Sequence, residues 1–303
     1  MINEVSMNLS GYTLQQDRAT HITADVAATA STIDKPITLS LASTDSVGKG
    51  IIEIDEELFW VDNYDRVGNT ATIAPYGRAY LGTTLAAHTE GTKVTIAPTF
   101  PRFTIKRAIN DTINAIGASI FAASTTTITS NSAVSAFRLP SGTDPTLNIS
   151  KILSIAYQAL GSSKEWIPIR SYRFDGNANS TAFTSGQTVS IYDYIPSGRT
   201  VQVVYATDPV TFTTNADVFT TQTGLPESCK DLVILGATYR LLSNLDPARA
   251  SMVSPQADEV DSKRPYGSSQ SLTKQVYALF NQRLNEEIKN QQDKYPIRVH
   301  YSL

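Results

Sequence analysis

Between residues 101 and 121 the hydrophobic pattern has the period of a helix, although the residues before and after it have the period of strands. The apolar positions are separated by four, four, three and four residues, which places one stripe on one helix face. Polar residues occupy the opposite side. The stripe consists of Ile105, Ile109, Ile113, Ile116 and Ile120. The chain must therefore combine helices and sheets, and we interpret 101–121 as the first helix of a core.

Residues 37–100 have the pattern of a small β module. Apolar residues alternate with polar ones over residues 37–41, as a half-buried strand requires. Residues 51–61 predict two strands joined by a tight turn at 55–57, and residues 93–97 predict a last short strand. Short strands at these intervals predict a β-barrel-like module or a curled sheet. Residues 1–36 precede it as an arm, either extended or with a short helix over 15–28.

Residues 122–215 return to short β-branched or aromatic runs, separated by segments rich in turn-forming residues. The pattern predicts a second all-β module, a β-sandwich inserted between two helices of the core. The predicted strands cover residues 137–140, 149–157, 166–174, 188–191 and 201–205.

Residues 225–292 have helical patterns, interrupted by a proline-containing loop, and predict core helices 2 and 3. Pro296 ends the last helix, and residues 293–303 form a tail whose final residues alternate like a strand. The residues expected to pack these helices are Leu232, Leu241, Leu272, Val276, Leu279 and Leu284. We therefore predict an α+β fold with a three-helix core, an N-terminal β-barrel-like module and an inserted sandwich.

The composition excludes several classes of protein. The net charge is −3 with no cluster of Lys and Arg, which argues against tight phosphate binding to nucleic acid. Cys229 is the only cysteine, so an intrachain disulfide is excluded, and it is interpreted as a buried apolar residue. The first residues lack the pattern of a signal peptide, and no stretch approaches the length of a membrane span. The sequence predicts a soluble protein assembled in a cytoplasm.

Candidate chemistry is sparse in this sequence. The carboxylates Glu53, Asp55, Glu56 and Glu57 are interpreted as the solvated face of a strand and a turn rather than as paired catalytic groups. Three histidines lie far apart without the spacing of a zinc site, and His88 is interpreted as a turn residue. No cofactor or metal is predicted. A hydrolase that uses Glu53, Asp55 or His88 remains the least favoured hypothesis.

Two stretches resemble a module in structural proteins of tailed bacteriophages. In the first, Gly77-Arg78, Leu81-Gly82-Thr83, Ala86-Ala87-His88, Gly91 and Val94 lead through Pro101-Arg102 to Ala108-Ile109-Asn110. The second comprises residues 201–209 and 225–250 and resembles the exit of the sandwich and the second helix of the same proteins. Some proteins of this kind are head-to-tail adaptors that sit beneath the portal ring.

The resemblance implies a non-enzymatic virion protein of the neck, assembled in the host cytoplasm. Its expected partners are identical subunits in a ring of twelve, the portal protein, a further neck or tail protein and DNA that passes through the lumen without tight binding. It also implies a C-terminal segment that docks on the portal. In this sequence that segment contains Tyr295, Ile297, Arg298, Val299, His300, Tyr301 and Leu303.

A receptor- or glycan-binding virion protein is the alternative hypothesis. Sugar-binding sites favour aromatic platforms beside carboxylates, and the first β module contains Trp60, Tyr64, Tyr76 and Tyr80. The three amphipathic helices argue against this alternative, since adhesins of this size tend to be nearly all-β.

Overall fold

The chain folds into two compact units, each built from separate segments of the sequence. The first contains Met1–Ile109 and Ile234–Tyr277, and the second contains Asn110–Val233 and Ala278–Leu303. The computed structural model describes residues 1–12, 17–28, 33–42, 47–131, 133–139, 149–161, 164–243 and 268–296. Within these ranges, no helix combines the length and the hydropathy needed to cross a lipid bilayer.

A six-stranded antiparallel sheet forms most of the first unit. Its strand order is β1-β6-β3-β4-β5-β2. The strands are β1 (Arg18–His21), β2 (Ile37–Ser40), β3 (Gly50–Ile54), β4 (Glu57–Asp65), β5 (Thr70–Ile73) and β6 (Lys93–Ile96). The residues between β3 and β4 make the predicted tight turn, with Asp55 at φ 55°. The strands predicted in this region are therefore confirmed.

The sheet curls around one apolar core but does not close into a barrel. Ile52, Ile54, Phe59 and Val94 are among the buried residues at its centre. Among the described residues, the edge strands β1 and β2 share no ladder. Their ends are joined by the isolated bridge between Ile22 and Leu41 and by the hydrogen bond from Thr20 Oγ1 to the carbonyl of Ala42 at 3.1 Å. A curled open sheet buries its inner face without complete closure, so the barrel alternative is wrong.

The first residues of the chain contain a helix, α1 (Ile2–Ser10), which the sequence pattern did not predict. Val5 and Leu9 are buried on one side of α1, and the Asn8 side chain donates a hydrogen bond to Thr238 Oγ1 at 3.2 Å. The helix that was considered over residues 15–28 is absent from the part of it that the structure describes. Strand β1 lies there instead and pairs with β6.

The isoleucine stripe lies on α2 (Arg102–Gly117). All five isoleucines are buried. Ile120 lies beyond the last residue of α2, but its N–H still donates to the carbonyl of Ile116 at 2.8 Å. That bond extends the helical turn far enough for Ile120 to continue the buried stripe.

The second unit contains two antiparallel sheets that share one core, as in a β-sandwich. The larger sheet has the order β10-β9-β13-β7 and the smaller one has the order β11-β12-β8. Buried residues of both sheets, among them Ile155, Val189 and Val203, form a single cluster. The strands are β7 (Ala122–Thr129), β8 (Ala136–Arg138), β9 (Ile149–Gln158), β10 (Trp166–Pro168), β11 (Tyr172–Asp175), β12 (Thr188–Ile191) and β13 (Thr200–Thr207).

The sandwich differs from the prediction in two strands. The run 166–174 contains two strands in different sheets, since the chain changes sheet between Pro168 and Tyr172. Strand β7 was missed because its Ala-, Ser- and Thr-rich sequence has almost no apolar alternation. It is nevertheless paired with β13 along all eight of its residues.

Three helices follow the sandwich: α3 (Phe219–Thr223), α4 (Lys230–Ser243) and α5 (Ser268–Lys294). On α4, Leu232 and Leu241 are buried. On α5, Val276 is buried, whereas Leu272 and Leu284 are partly exposed. The predicted proline-containing loop lies outside the described residues.

Leu279 of α5 differs from its expected position on the packing face, since 45% of its surface is exposed. The buried stripe of α5 passes through Val276, Phe280 and Glu287, at spacings of four and seven residues. Leu279 lies beside this stripe rather than on it.

Candidate functional site

The turn between β3 and β4 carries the four carboxylates that the sequence singles out. Glu53 is only 3% exposed, so its interpretation as part of a solvated strand face is wrong. Glu57, which was assigned to the turn, is the first residue of β4 and is 1% exposed. On β3, the residues Ile52 and Ile54 face the core of the curled sheet. Glu53 alternates with them and lies against α2, and for this reason it is buried although it faces away from the apolar core.

The first turns of α2 are bound to this turn by two carboxylates. Glu53 Oε1 accepts a hydrogen bond from the N–H of Arg102, the first residue of the helix, where the helix dipole favours an acceptor with negative charge. Glu56 forms an ion pair with Lys106 at 3.1 Å. Burial raises the pKa of Glu53 to about 7, although the bond from Arg102 and its charge oppose that shift.

Glu57 and Arg78 form a buried bidentate ion pair. Arg78 Nε donates to Glu57 Oε1 at 3.0 Å, and Nη2 donates to Oε2 at 2.8 Å. The N–H groups of Ala79 and Ala86 each donate to the same carboxylate at 3.0 Å. The guanidinium group also donates to the carbonyls of Ala27 and Ala86. One ion pair therefore joins three separate backbone segments to the start of β4.

His88 extends the pair into a network of four charged groups. Its Nδ1 lies 2.8 Å from Asp55 Oδ2, and its Nε2 lies 3.0 Å from Glu57 Oε2. Burial would lower the pKa of His88, but its hydrogen bonds to Glu57 and Asp55 outweigh burial and raise that pKa. The imidazolium form donates from both nitrogens, and two positive groups then balance two carboxylates. We call these four residues, Asp55, Glu57, Arg78 and His88, the buried charge network; Asp55 is its solvent-facing end, with a side chain that is 59% exposed.

The hydrogen bond that raises the pKa of His88 lowers the pKa of Glu57. Burial would raise the pKa of its carboxyl, but the bonds from His88, Arg78 and the two backbone amides outweigh burial and lower the pKa to about 2. Glu57 is therefore ionised at neutral pH.

The network holds a loop of unusual backbone conformation. Tyr76, Ala79 and Leu81 all have positive φ, at 57°, 47° and 55°, in the left-handed region that L-residues rarely adopt. At Gly77 an added Cβ would lie 2.7 Å from the carbonyl oxygen of Ala74, so only glycine fits there. Thr83 then fastens the end of the loop by accepting a hydrogen bond from Leu58 N–H at 3.1 Å.

The geometry of the network is that of a structural clamp. A general acid or base must present a free position to its substrate. His88 has both ring nitrogens bound to carboxylates, and its side chain has no exposed surface. This arrangement does not support the hydrolase hypothesis. In the described parts of the chain, no three His, Cys, Asp or Glu side chains are grouped so that they could hold a metal ion.

The aromatic residues of the first β module do not form an open platform. The Trp60 and Tyr80 rings contact each other, with 5.4 Å between their centroids. Tyr64 packs against the apolar core. Tyr76 alone among these four is exposed, at 69%. The geometry therefore gives no support to a sugar-binding surface.

The predicted docking tail, residues 293–303, lies mostly outside the described residues, which end at 296. Of its expected docking residues, Tyr295 is the one that the structure describes. The Tyr295 ring lies 5.9 Å from that of Phe121, measured between centroids. The docking role of the tail stays a prediction.

A second polar cluster, which the sequence analysis missed, joins α4 to α5 in the second unit. Arg283 pairs with Asp231 at 2.7 Å and with the buried Glu287 at 3.0 Å. Glu287 also accepts a hydrogen bond from Ser228 Oγ at 3.1 Å. Local spacing gives only the pair of Arg283 with Glu287, four residues apart on α5, because the contacts of these two residues with Ser228 and Asp231 span more than fifty residues of sequence.

Comparison with known families gives one match. A family model described as SU10 adaptor protein matches residues 78–300, which is more than half of the chain. The match begins at Arg78, within the buried charge network, and it includes α2, the sandwich and α3 to α5. No curated protein matches the chain.

Proposed function

The chain belongs to the SU10 adaptor protein family, and on that premise we propose that it is a head-to-tail adaptor that forms a ring beneath the portal. In this proposal the ring joins the capsid to the tail and DNA passes through its lumen. The observation that carries the proposal is the family match over residues 78–300. Membership of this family is consistent with a role as a phage head-to-tail adaptor, which is a structural protein of the virion.

The ring would consist of identical subunits, twelve in number, arranged around three core helices in each copy. Subunits in a ring make heterologous contacts, in which one face meets a different face of the next copy. The exposed position of Leu279 on α5 suits such a contact, since an apolar side chain on a helix gains stability when a neighbour covers it. We therefore assign Leu279 to the contact between subunits.

The C-terminal tail would dock on the portal, and a further neck or tail protein would bind the other side of the ring. The docking residues of the tail would be those from Tyr295 to Leu303. The alternating apolar residues of 297–303 could pair as a strand with an exposed sheet edge of the portal. The last helix would bring this segment to the same place in every subunit.

The ring is tested by native mass spectrometry and negative-stain microscopy of the purified protein, alone and with the portal protein. We expect a closed ring under one of these two conditions. The substitution Leu279→Lys should reduce ring formation at least about tenfold, because it places a charge in a desolvated contact. Val67→Lys is the matched control, since Val67 is 94% exposed at a hairpin of the first unit. Monomers under every assembly condition would contradict the proposal.

The docking of the tail is tested separately by a variant that ends at Pro296. We expect this variant to keep its circular dichroism spectrum and its ring, but to lose co-sedimentation with the portal. Ring formation and co-sedimentation with the portal are measured separately, so one can fail without the other. If the shortened protein attaches to portals as the full chain does, the tail has no docking role.

A further inference from the structure

Strand β7 is an unprotected edge of the larger sheet of the sandwich. It is eight residues long and lies at the end of the strand order, so among the described residues no strand pairs with its outer side. Proteins usually protect such edges with charged residues, with proline or by keeping the strand short. The opposite edge follows that rule, since β10 has three residues and ends in Pro168. Strand β7 contains no charged residue and no proline.

The outward-facing backbone groups of β7 can be identified from its hydrogen bonds. Ser130 N–H donates towards β13, to the carbonyl of Arg199 at 2.8 Å. Phe121, which precedes β7, binds on the opposite side, where its N–H and carbonyl both contact the Gln291 side chain. The backbone N–H and carbonyl groups of successive strand residues point alternately to the two sides of the strand. The backbone groups of the odd-numbered residues therefore point away from β13, towards the free side of β7. These residues are Ala123, Thr125, Thr127 and Thr129.

The end of α5 is fastened to the beginning of this edge. The Gln291 side chain accepts a hydrogen bond from Phe121 N–H at 3.2 Å and donates one to the Phe121 carbonyl at 2.7 Å. This amide therefore occupies the place that the backbone of a neighbouring strand would take. The contact between Tyr295 and Phe121 adds to the attachment. The last described residues of the chain therefore lie near Phe121, the residue that precedes β7.

The residues that follow have the pattern of a strand. Apolar Ile297, Val299, Tyr301 and Leu303 alternate with polar Arg298, His300 and Ser302. The segment is also close in length to β7, so it could reach along the whole edge. Its starting point beside Phe121 means that it would run in the same direction as β7.

We propose that residues 297–303 bind to the free edge of β7 in the same chain, as a fifth, parallel strand of the larger sheet. The outward N–H and carbonyl groups of β7 are the hydrogen-bonding partners, and the apolar face of the segment extends the sandwich core beyond Ile128. This inference does not depend on ring formation or portal binding. It has a consequence for the adaptor role, because a segment bound to β7 must be released before a partner can take it.

Hydrogen–deuterium exchange of the full chain tests the proposal. Exchange at the outward amides of residues 123–129 should be about tenfold slower than in a variant that ends at Pro296, because each protected amide gains a hydrogen bond. Thr127→Pro should abolish this difference, since it removes an outward donor and adds a ring on the edge. Thr126→Pro is the matched comparison, because residue 126 faces β13 and its proline variant should disrupt the sheet itself.

Two results would overturn the proposal. The first is equal exchange at these amides in the full chain and in the shortened chain. The second is protection that increases with protein concentration, since that would mean that the segment comes from a second copy. Protection that is independent of concentration, and that is restored in the shortened variant by a synthetic peptide of residues 297–303, supports it. None of these outcomes depends on portal attachment, so the two ideas can fail separately.

Discussion

At the scale of single residues, the buried charge network shows how a sequence with few charged residues uses them. Removing water from a carboxylate and a guanidinium group is costly, and the attraction between them offsets that cost only when the hydrogen bonds are complete. Glu57 meets this condition with two bonds from Arg78 and two from backbone amides. The network therefore depends on its completeness, because the loss of Arg78 would leave the buried Glu57 carboxylate without its cation.

The substitution Arg78→Met should destabilise the protein by about 3–5 kcal/mol, because it leaves the Glu57 carboxylate buried without its cation. The change is measured as the free energy of unfolding in urea. Lys49→Met is the control, since Lys49 and Asp62 form an ion pair at 2.8 Å with side chains 65% and 54% exposed. Exposed pairs contribute at most about 1 kcal/mol. Equal effects of the two substitutions would show that the network is not a clamp.

Glu53 should make the stability of the protein depend on pH. Its pKa is about 7 in the folded chain, whereas an unperturbed glutamate has a pKa of 4.5. A carboxyl with a raised pKa stabilises the fold fully below its unfolded pKa, and this contribution is lost as the pH rises through the folded pKa. The decrease should therefore occur between about pH 4.5 and pH 7.

The substitution Glu53→Gln keeps the acceptor for Arg102 N–H but removes the ionisation. At pH 8 this variant should be more stable than the natural chain by roughly 2–3 kcal/mol, and at pH 4.5 the difference should vanish. The free energy of unfolding of both proteins is measured across this range. The comparison cancels the contribution of His88, whose raised pKa acts equally in both. A difference that is constant with pH would refute the role given to Glu53.

At the scale of secondary-structure elements, helix α1 lies outside the residues that the family model matches. Its apolar residues Val5 and Leu9 are buried, whereas Met7 on the same helix is 75% exposed. The bond from Asn8 to Thr238 attaches α1 to the second half of α4 within the first unit. The first residues of the chain are thus part of a packed unit.

The substitution Leu9→Ala should destabilise the protein by about 2–4 kcal/mol, because it leaves a cavity where a buried side chain stood. Met7→Ala should change stability by less than about 0.5 kcal/mol, since its side chain loses little contact. Thermal and urea unfolding of the two variants measure the difference. Two equally mild substitutions would mean that α1 adds nothing to the first unit.

The elements differ in how far they could be predicted. The isoleucine stripe of α2 and the strands of the first β module follow from period alone, because their apolar residues repeat with the geometry of the element. Strand β7 could not be predicted in this way, since Ala, Ser and Thr give it no contrast between its faces. Strand β7 is defined by its hydrogen-bonded pairing with β13, which lies far along the chain, and not by a pattern in its own sequence.

The candidate site was predictable only in part. The resemblance singled out Arg78 and His88, but the alternation around Glu53 indicated a solvated strand face. The carboxylates are buried because residues from other elements cover them: Arg78 and His88 cover Glu57, and α2 covers Glu53. Such contacts have no signature in local spacing. A carboxylate beside apolar residues of a strand has the same pattern whether water or a helix N-terminus lies against it.

At the scale of the whole molecule, the net charge of −3 makes a prediction about DNA. A protein without a basic surface releases few counterions from the duplex and binds it weakly. We expect no retardation of duplex DNA by the purified protein, alone or in the proposed ring, at about 150 mM salt, and a dissociation constant weaker than about 100 μM. Fluorescence anisotropy with a labelled duplex measures it. Micromolar binding with a steep salt dependence would contradict passage of DNA through a non-adhesive lumen.

Each compact unit is assembled from segments that lie on both sides of the other in sequence. During synthesis, residues up to Ile109 leave the ribosome long before Ile234–Tyr277, with which they share a unit. The unit that contains the sandwich is likewise complete only once the residues from Ala278 onward have been synthesised. A chain interrupted anywhere in its first three quarters therefore lacks parts of both units, so no truncated product of that length contains either unit complete.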